Sequence, residues 1–214
     1  MNLLVTGGAG FIGSNLIRHI INEPAIKRLV NLDCLTYAGH LENLSDFESH
    51  PKYAFEPVDL RSKMGVAEVV RRQEITHVIH LAAESHVDRS IVGPDDFIQT
   101  NVVGAFYLLE ACRSFWGGNS ADRRFLHVST DEVYGSLGSA GKFTEETPYA
   151  PNSPYSATKA SADMLVRTYH HTYRLPVLIT NCSNNYGPYQ FPEKLQPVVI
   201  QSVIRRRSIP VSAR

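Results

Sequence analysis

The segment Gly7-Gly8-Ala9-Gly10-Phe11-Ile12-Gly13 limits what this chain can fold into more than any other stretch. The short apolar run Leu3 to Thr6 precedes it, and Phe11, Ile12, Leu16, Ile17, Ile20 and Ile21 follow at helical spacing. A strand, a glycine-rich turn and an amphipathic helix in that order let backbone approach a pyrophosphate. The phosphate charge then faces the free N–H groups and positive end of the helix. Glycines alone would signal only a tight turn. Their place between strand and helix makes Gly7, Gly10 and Gly13 candidate dinucleotide contacts.

The pattern downstream supports that start. A second apolar run, Leu29 to Leu32, ends in Asp33, twenty residues beyond Gly13, where an acid takes the hydroxyls of an adenosine ribose. Cys34 to Ala38 contain no Arg or Lys, so the extra phosphate of NADP would meet Asp33 and no cation; the expected cofactor is NAD. Tyr53 to Val58 reads as a third strand leading to Asp59-Leu60, which suits either the adenine edge or the acidic start of a helix over 62–72. Thr76 to Ala83 is apolar on both faces, as a covered parallel strand is, and runs into Glu84-Ser85-His86. One long helical pattern over 94–115 gathers Phe97, Asn101, Val102, Ala105, Leu108, Leu109 and Cys112 on a broad face, and Gly117-Gly118-Asn119-Ser120 ends it. Strands at 125–128 and 176–180 and helices at 155–174 and 195–207 complete the series. This alternation predicts an α/β fold with a doubly wound parallel sheet of the Rossmann type.

The chemistry concentrates at Ser129-Thr130-Asp131-Glu132-Val133-Tyr134-Gly135, where the run from Phe125 leaves the sheet. Ligands of open α/β sheets lie beyond the carboxyl ends of strands. Two carboxylates in unequal surroundings can divide the work of acid and base, which is what elimination of water needs. Neighbouring side chains on a strand point to opposite faces, so Asp131 and Glu132 share one substrate only if the chain turns there; Gly135 permits that. Tyr155 and Lys159 lie four apart on one helical face, where the ammonium and a cationic nicotinamide are both expected to favour the ionised phenol. The polar loop 136–154 is a candidate lid. Amides crowd Asn181 to Asn185, which suits sugar hydroxyls or phosphate, although turns use the same residues.

Composition excludes several alternatives. Lys plus Arg and Asp plus Glu are 21 each, so no overall charge draws the chain to nucleic acid or an anionic membrane. Arg205-Arg206-Arg207 is the one basic run, read as the solvated end of a helix with phosphate binding as the alternative. Three separated cysteines suggest neither a disulfide framework nor a zinc site, and the nine histidines lack metal-binding spacing. Without a recognisable leader or a membrane-length apolar run, a reducing cytoplasm is the expected location.

Thr6-Gly7-Gly8-Ala9-Gly10-Phe11-Ile12-Gly13, Asn101-Val102-Val103-Gly104 and Tyr155-Ser156-Ala157-Thr158-Lys159 resemble the extended short-chain dehydrogenase/reductase superfamily. Within it, Leu81 to Ser90, Thr130 to Gly135 and Asn184 to Tyr189 resemble the dTDP-glucose 4,6-dehydratase family. The resemblance implies an NAD-binding domain over residues 1–190 that carries the catalytic groups. It also implies that residues 191–214 begin a nucleotide-sugar-binding region, the rest of whose smaller C-terminal substrate domain is largely missing. It implies oxidation of a hexose at C4, loss of water across C5 and C6, and return of hydride to C6. Tyr155 would act on the 4-hydroxyl, Glu132 as base at C5, Asp131 as acid toward the C6 hydroxyl, with Thr130 and Lys159 in support. NAD contacts would fall on Phe11, Ile12, Asp33, Cys34, Leu35, Thr36, Asp59, Leu60, Leu81, Ala82, Ala83, Ser85, Thr100, Tyr155, Lys159 and Asn185. Ser85, Thr130, Asn184, Lys194 and Leu195 would meet dTDP-glucose. A homodimer paired through the helices at 94–115 and 155–174 is implied too. A UDP-sugar dehydratase, or a truncated module that only binds NAD, are the rival expectations.

Overall fold

The computed structural model describes residues 1–118, 121–138 and 140–208. Six parallel strands form one sheet: β1 (Asn2–Thr6), β2 (Arg28–Leu32), β3 (Tyr53–Glu56), β4 (His77–His80), β5 (Arg124–Thr130) and β6 (Val177–Cys182). Their order is β3-β2-β1-β4-β5-β6, so the direction of winding reverses between β1 and β4. The helices are α1 (Phe11–Ile20), α2 (Lys63–Arg72), α3 (Val87–Val92), α4 (Asp95–Phe97), α5 (Ala105–Trp116), α6 (Pro154–Tyr173) and α7 (Leu195–Ile204). The expected doubly wound Rossmann-type sheet is therefore present.

Alternation along β1 divides the core. Leu4 turns to one face and joins Val30, Val78 and Phe125 under Val66, Val69 and Val70 of α2, Leu108, Leu109 and Cys112 of α5 and Val166 of α6. Leu3 and Val5 turn to the other face, against Ile17 of α1, Ile21, Ile26 and Leu44. Trp116 closes the first cluster, and its indole Nε1 donates to Ile75 O at 2.8 Å, so this large side chain is buried without an orphaned donor.

Three expectations change. The strand expected over 76–83 pairs only from His77 to His80, and residues 81–86 run on as loop beside the glycine turn. The single helix expected over 94–115 is a continuous helical run from Asp95 to Trp116 whose middle, Ile98–Gly104, is π-helical. These wider turns give Thr100 to the switch point and Asn101 to the loop after β4: its amide donates to Glu84 O and accepts from Glu84 N, both at 2.9 Å. The helix expected over 195–207 ends at Ile204, and none of its residues is buried. Asn119 and Ser120, expected to end the long helix, and residues 209–214 of the expected second region lie outside the described residues. No described helix is long and apolar enough to cross a membrane.

Candidate active site

A cavity of about 630 Å³ opens at the carboxyl ends of β1 and β4, where the winding reverses. Its floor is the glycine turn. Gly7 sits at φ +72°, and a Cβ there would come 2.8 Å from Ala82 backbone, so the turn and the loop after β4 approach as only glycine allows. A Cβ on Gly13 would run into Gly7 O, which fixes α1 hard against the turn. No side chain caps the N-terminus of α1, so its first N–H groups face the cavity without an internal acceptor.

Asp33 ends β2 at the rim of this floor. Its Oδ2 accepts from Ala9 N at 3.0 Å and its Oδ1 from Leu35 N at 2.9 Å. Burial pushes its carboxyl up, and the two N–H bonds oppose that. The fixed carboxylate and the bare helix end are what the ribose and pyrophosphate of a dinucleotide require, so these residues fit NAD. One element was missed by reasoning from residues 34–38 alone. Arg61 also lines the cavity, bound to Asp59 at 2.7 Å and Asp96 at 3.2 Å. A cation is therefore present, but it is already shared between two carboxylates, with Asp33 nearby. The Asp59-Leu60-Arg61 sequence carried that signal; only the fold brings it beside β2.

The opposite wall is built by β5 and α6. Thr130 ends β5, and its Oγ1 accepts from Glu132 N at 3.3 Å, capping a 3₁₀ turn over Asp131–Tyr134. Gly135 leaves that turn at φ +86°, and Ala150 N donates to Val133 O at 2.9 Å, so the turn is held from behind. The chain does bend here, but the bend brings only one of the two neighbouring acids to the cavity wall. Glu132 lines the cavity together with Thr130; Asp131 does not, and is tied to Thr130 Oγ1 at 3.4 Å.

α6 starts where its sequence says it should. Ser153 accepts from Ser156 N at 3.1 Å and donates its own N–H to Ser156 Oγ at 3.0 Å, with Pro154 in the first turn. This capping box places Tyr155 in the first turn and Lys159 in the second, both buried and both on the cavity wall. Lys159 Nζ donates to Val128 O at 2.8 Å. Burial lowers its ammonium to about 8. The expected effect of Lys159 on Tyr155 is corrected here. In this structure burial first, and the Glu132 carboxylate second, push the phenol upward, while its hydrogen bond with Thr130 pulls it back. Desolvation outweighs the neighbouring charge because both groups share one dry wall.

The remaining expected residues fall as follows. Phe11, Ile12, Gly10, Cys34, Thr36, Leu60, Leu81, Ala82, Ala83, Ser85, Asn184, Asn185, Lys194 and Leu195 all line the cavity. Leu35 does not, its N–H being spent on Asp33. Lys194 donates to Ser85 O at 2.9 Å, and Phe191 packs edge-on to Tyr37 at 5.5 Å, so the segment after β6 reaches back across the cavity mouth. Among the described residues no cluster could hold a metal ion.

A parallel doubly wound sheet with a dinucleotide cradle and a Tyr–Lys pair beyond β5 defines a nucleotide-binding domain of the dehydrogenase/reductase class. The family model described as GDP-mannose 4,6 dehydratase matches residues 4–210, and the chain belongs to that family. It is 56% identical over 212 residues to a dTDP-glucose 4,6-dehydratase of Xanthomonas campestris pv. campestris (strain B100), covering 97% of this chain and 60% of the relative. It is 51% identical over 224 residues to the Escherichia coli enzyme of the same name, covering 99% and 62%. The crystal structure of dTDP-glucose 4,6-dehydratase from Bacillus anthracis str. Ames, in complex with NAD, superposes with a TM-score of 0.88 at 44% identity, covering 100% of this chain and 64% of that one. The chain thus spans about three fifths of the length of the curated relatives it matches.

Proposed function

We propose that this chain carries the NAD-binding and proton-handling part of a dTDP-glucose 4,6-dehydratase, a hydro-lyase that converts dTDP-glucose to dTDP-4-keto-6-deoxyglucose. The observation that supports this most is that Thr130, Glu132, Tyr155 and Lys159 converge on one wall of a cavity whose floor is the glycine turn and Asp33. NAD bound there supplies the hydride acceptor for oxidation at C4 and the donor for reduction at C6. The protein's own groups do the rest. Tyr155 takes the proton of the 4-hydroxyl, with Thr130 as hydrogen-bond partner and Lys159 supplying positive charge on the same wall. Once C4 is a ketone, the C5 proton is acidic, and Glu132 removes it. Asp131, once turned from Thr130 toward the sugar, protonates the departing C6 hydroxyl. Ser85, Asn184, Lys194 and Leu195 orient the nucleotide sugar.

The names of the relatives support the dTDP sugar over a UDP sugar. The charge pattern supports NAD, with Asp33, Asp59 and Asp96 surrounding the one cation, Arg61, seen at that end of the cavity among the described residues. We place the boundary of the second region at residue 191, the protein in the cytoplasm, and two copies in a dimer. The last is supported by Val102, Met164, Leu165 and Thr168, which line a shallow apolar hollow on the outer faces of the helical run and α6. A second reading, a module that binds NAD without turnover, is favoured by α7, where Leu195, Ile200, Val203 and Ile204 are exposed. The deciding experiment is incubation with NAD and dTDP-glucose, or UDP-glucose in parallel. The alkaline absorbance of a 4-keto sugar is expected from dTDP-glucose. Its absence, with NAD bound, would select the second reading.

A further inference from the structure

Behind Lys159, on the side away from the cavity, lies a buried polar group that the reaction above does not use. Asp163 sits one turn further along α6 and is 1% exposed. Its Oδ2 accepts from Ser129 Oγ of β5 at 2.8 Å and from the Tyr149 hydroxyl of the loop before α6 at 3.0 Å. Asn181 of β6, whose Nδ2 donates to Thr130 O at 3.1 Å, lies beside it. His127 Nε2 of β5 lies 3.2 Å from Oδ1, close but out of hydrogen-bonding alignment. A carboxylate at such depth is costly unless it is both hydrogen-bonded and paired with a cation. The hydrogen bonds come from β5 and the loop before α6, and the cation whose charge acts on Asp163, without a direct ion pair among the described residues, is Lys159, at the i, i+4 spacing that sets two helical side chains on one face.

We propose that Asp163 is a positioning residue, the counter-charge that keeps buried Lys159 an ammonium and, through Tyr149, ties the loop before α6 to the same point. The tie is continuous. Tyr149 packs edge-on against Tyr134, the last residue of the Asp131–Tyr134 turn, at 5.3 Å, so the turn that carries Glu132 and the charge beside Tyr155 share one anchor. Other titratable groups face this pair. Cys182 of β6 acts on Lys159, while His80 of β4 and His127 of β5, both held neutral by burial, sit behind it, and Tyr134 and Tyr149 face Asp163. None of these is a carboxylate, which leaves Asp163 as the anion on this side of Lys159 among the described residues.

The role deepens the proposed function, since it assigns a support to the lysine of that reading, yet it can be tested without substrate. The chain, labelled with ¹³C at lysine Cε, is titrated by NMR, the Lys159 signal being assigned by its loss in Lys159→Arg. Asp163→Asn, nearly the same in shape, is expected to lower the Lys159 midpoint by about one pH unit or more. Tyr149→Phe and Ser129→Ala each remove one donor from the carboxylate and are expected to lower it by less. A purely structural Asp163 would change melting temperature and leave the midpoint where it is. A folded Asp163→Asn chain with an unmoved midpoint overturns the proposal. If Asp163→Asn does not fold, an unmoved midpoint in a folded Asp163→Ser chain, which also lacks the charge, overturns it equally. A chain that binds NAD but turns over no sugar leaves this readout intact, so failure of the dehydratase reading remains distinguishable.

Discussion

Lys159→Met should change how stability depends on pH, by an amount the structure fixes. Burial brings the ammonium from its ordinary 10.5 down to about 8 in the folded chain. Below about 8 both folded and unfolded chains hold the proton, and the folded chain bears the full cost of the buried charge. Between about 8 and 10.5 the unfolded chain holds a proton that the folded chain has released, so stability rises with pH. At about 1.4 kcal/mol per pH unit, the whole window is worth about 3 kcal/mol. Methionine has nothing to titrate and loses that rise. Its absolute stability at pH 7 is harder to place, because Val128 O loses a donor and Asp163 loses its cation; the slope does not depend on either. Urea unfolding of both chains from pH 7.5 to 10 should give free-energy curves that diverge by about 2 kcal/mol or more. Tyrosines and cysteines titrating in this range do so in both chains and cancel in the difference. Parallel curves would refute the claim that burial outweighs the Asp163 carboxylate in setting where Lys159 titrates.

Gly13→Ala should weaken NAD binding at least about tenfold by calorimetry and cost about 1–3 kcal/mol of stability, because the new Cβ meets Gly7 O and Gly8 Cα rather than open space; unchanged affinity would detach the turn from the cofactor. In a chain that turns over, Glu132→Gln and Asp131→Asn should slow elimination while leaving oxidation measurable by single-turnover absorbance, whereas Tyr155→Phe should suppress oxidation itself; Glu132→Gln at the wild-type rate would show the base to be elsewhere. Trp116→Phe removes the bond to Ile75 O and part of a side chain that is 3% exposed, and should lower stability by about 1–3 kcal/mol in urea without affecting NAD affinity.

The sheet was legible because each strand is a short apolar run with a turn residue behind it, and the glycine turn because its spacing tolerates few alternatives. Local chemistry also showed where α6 begins, since Ser153-Pro154 and Ser156 form its cap within four residues. What escaped notice depends on distance in sequence. Arg61 looks like an ordinary charge at a helix start until β3 is laid beside β2 and the residue enters the cavity. Asp131 and Glu132 are equivalent in sequence; the 3₁₀ turn separates them, sending Glu132 to the cavity and Asp131 to Thr130. The direction of Tyr155 was misjudged because a neighbouring charge can be read from spacing, whereas the dryness around a side chain cannot. In sequence Asp163 is one more polar residue on a helix, and only the arrival of Ser129 and Tyr149 from two separate elements sets it apart.

The wide turns at Ile98–Gly104 let one rod keep two phases. Before and within them, Phe97 and Asn101 look toward α6 and the loop after β4; past them, Leu108, Leu109 and Cys112 look toward the sheet and α2. Deleting a single residue there would restore ordinary pitch and swing Thr100 and Asn101 out of line with the cradle, whatever side chains remained. In this stretch the number of residues matters as much as their identity, because the Asn101 amide meets Glu84 only while the count holds.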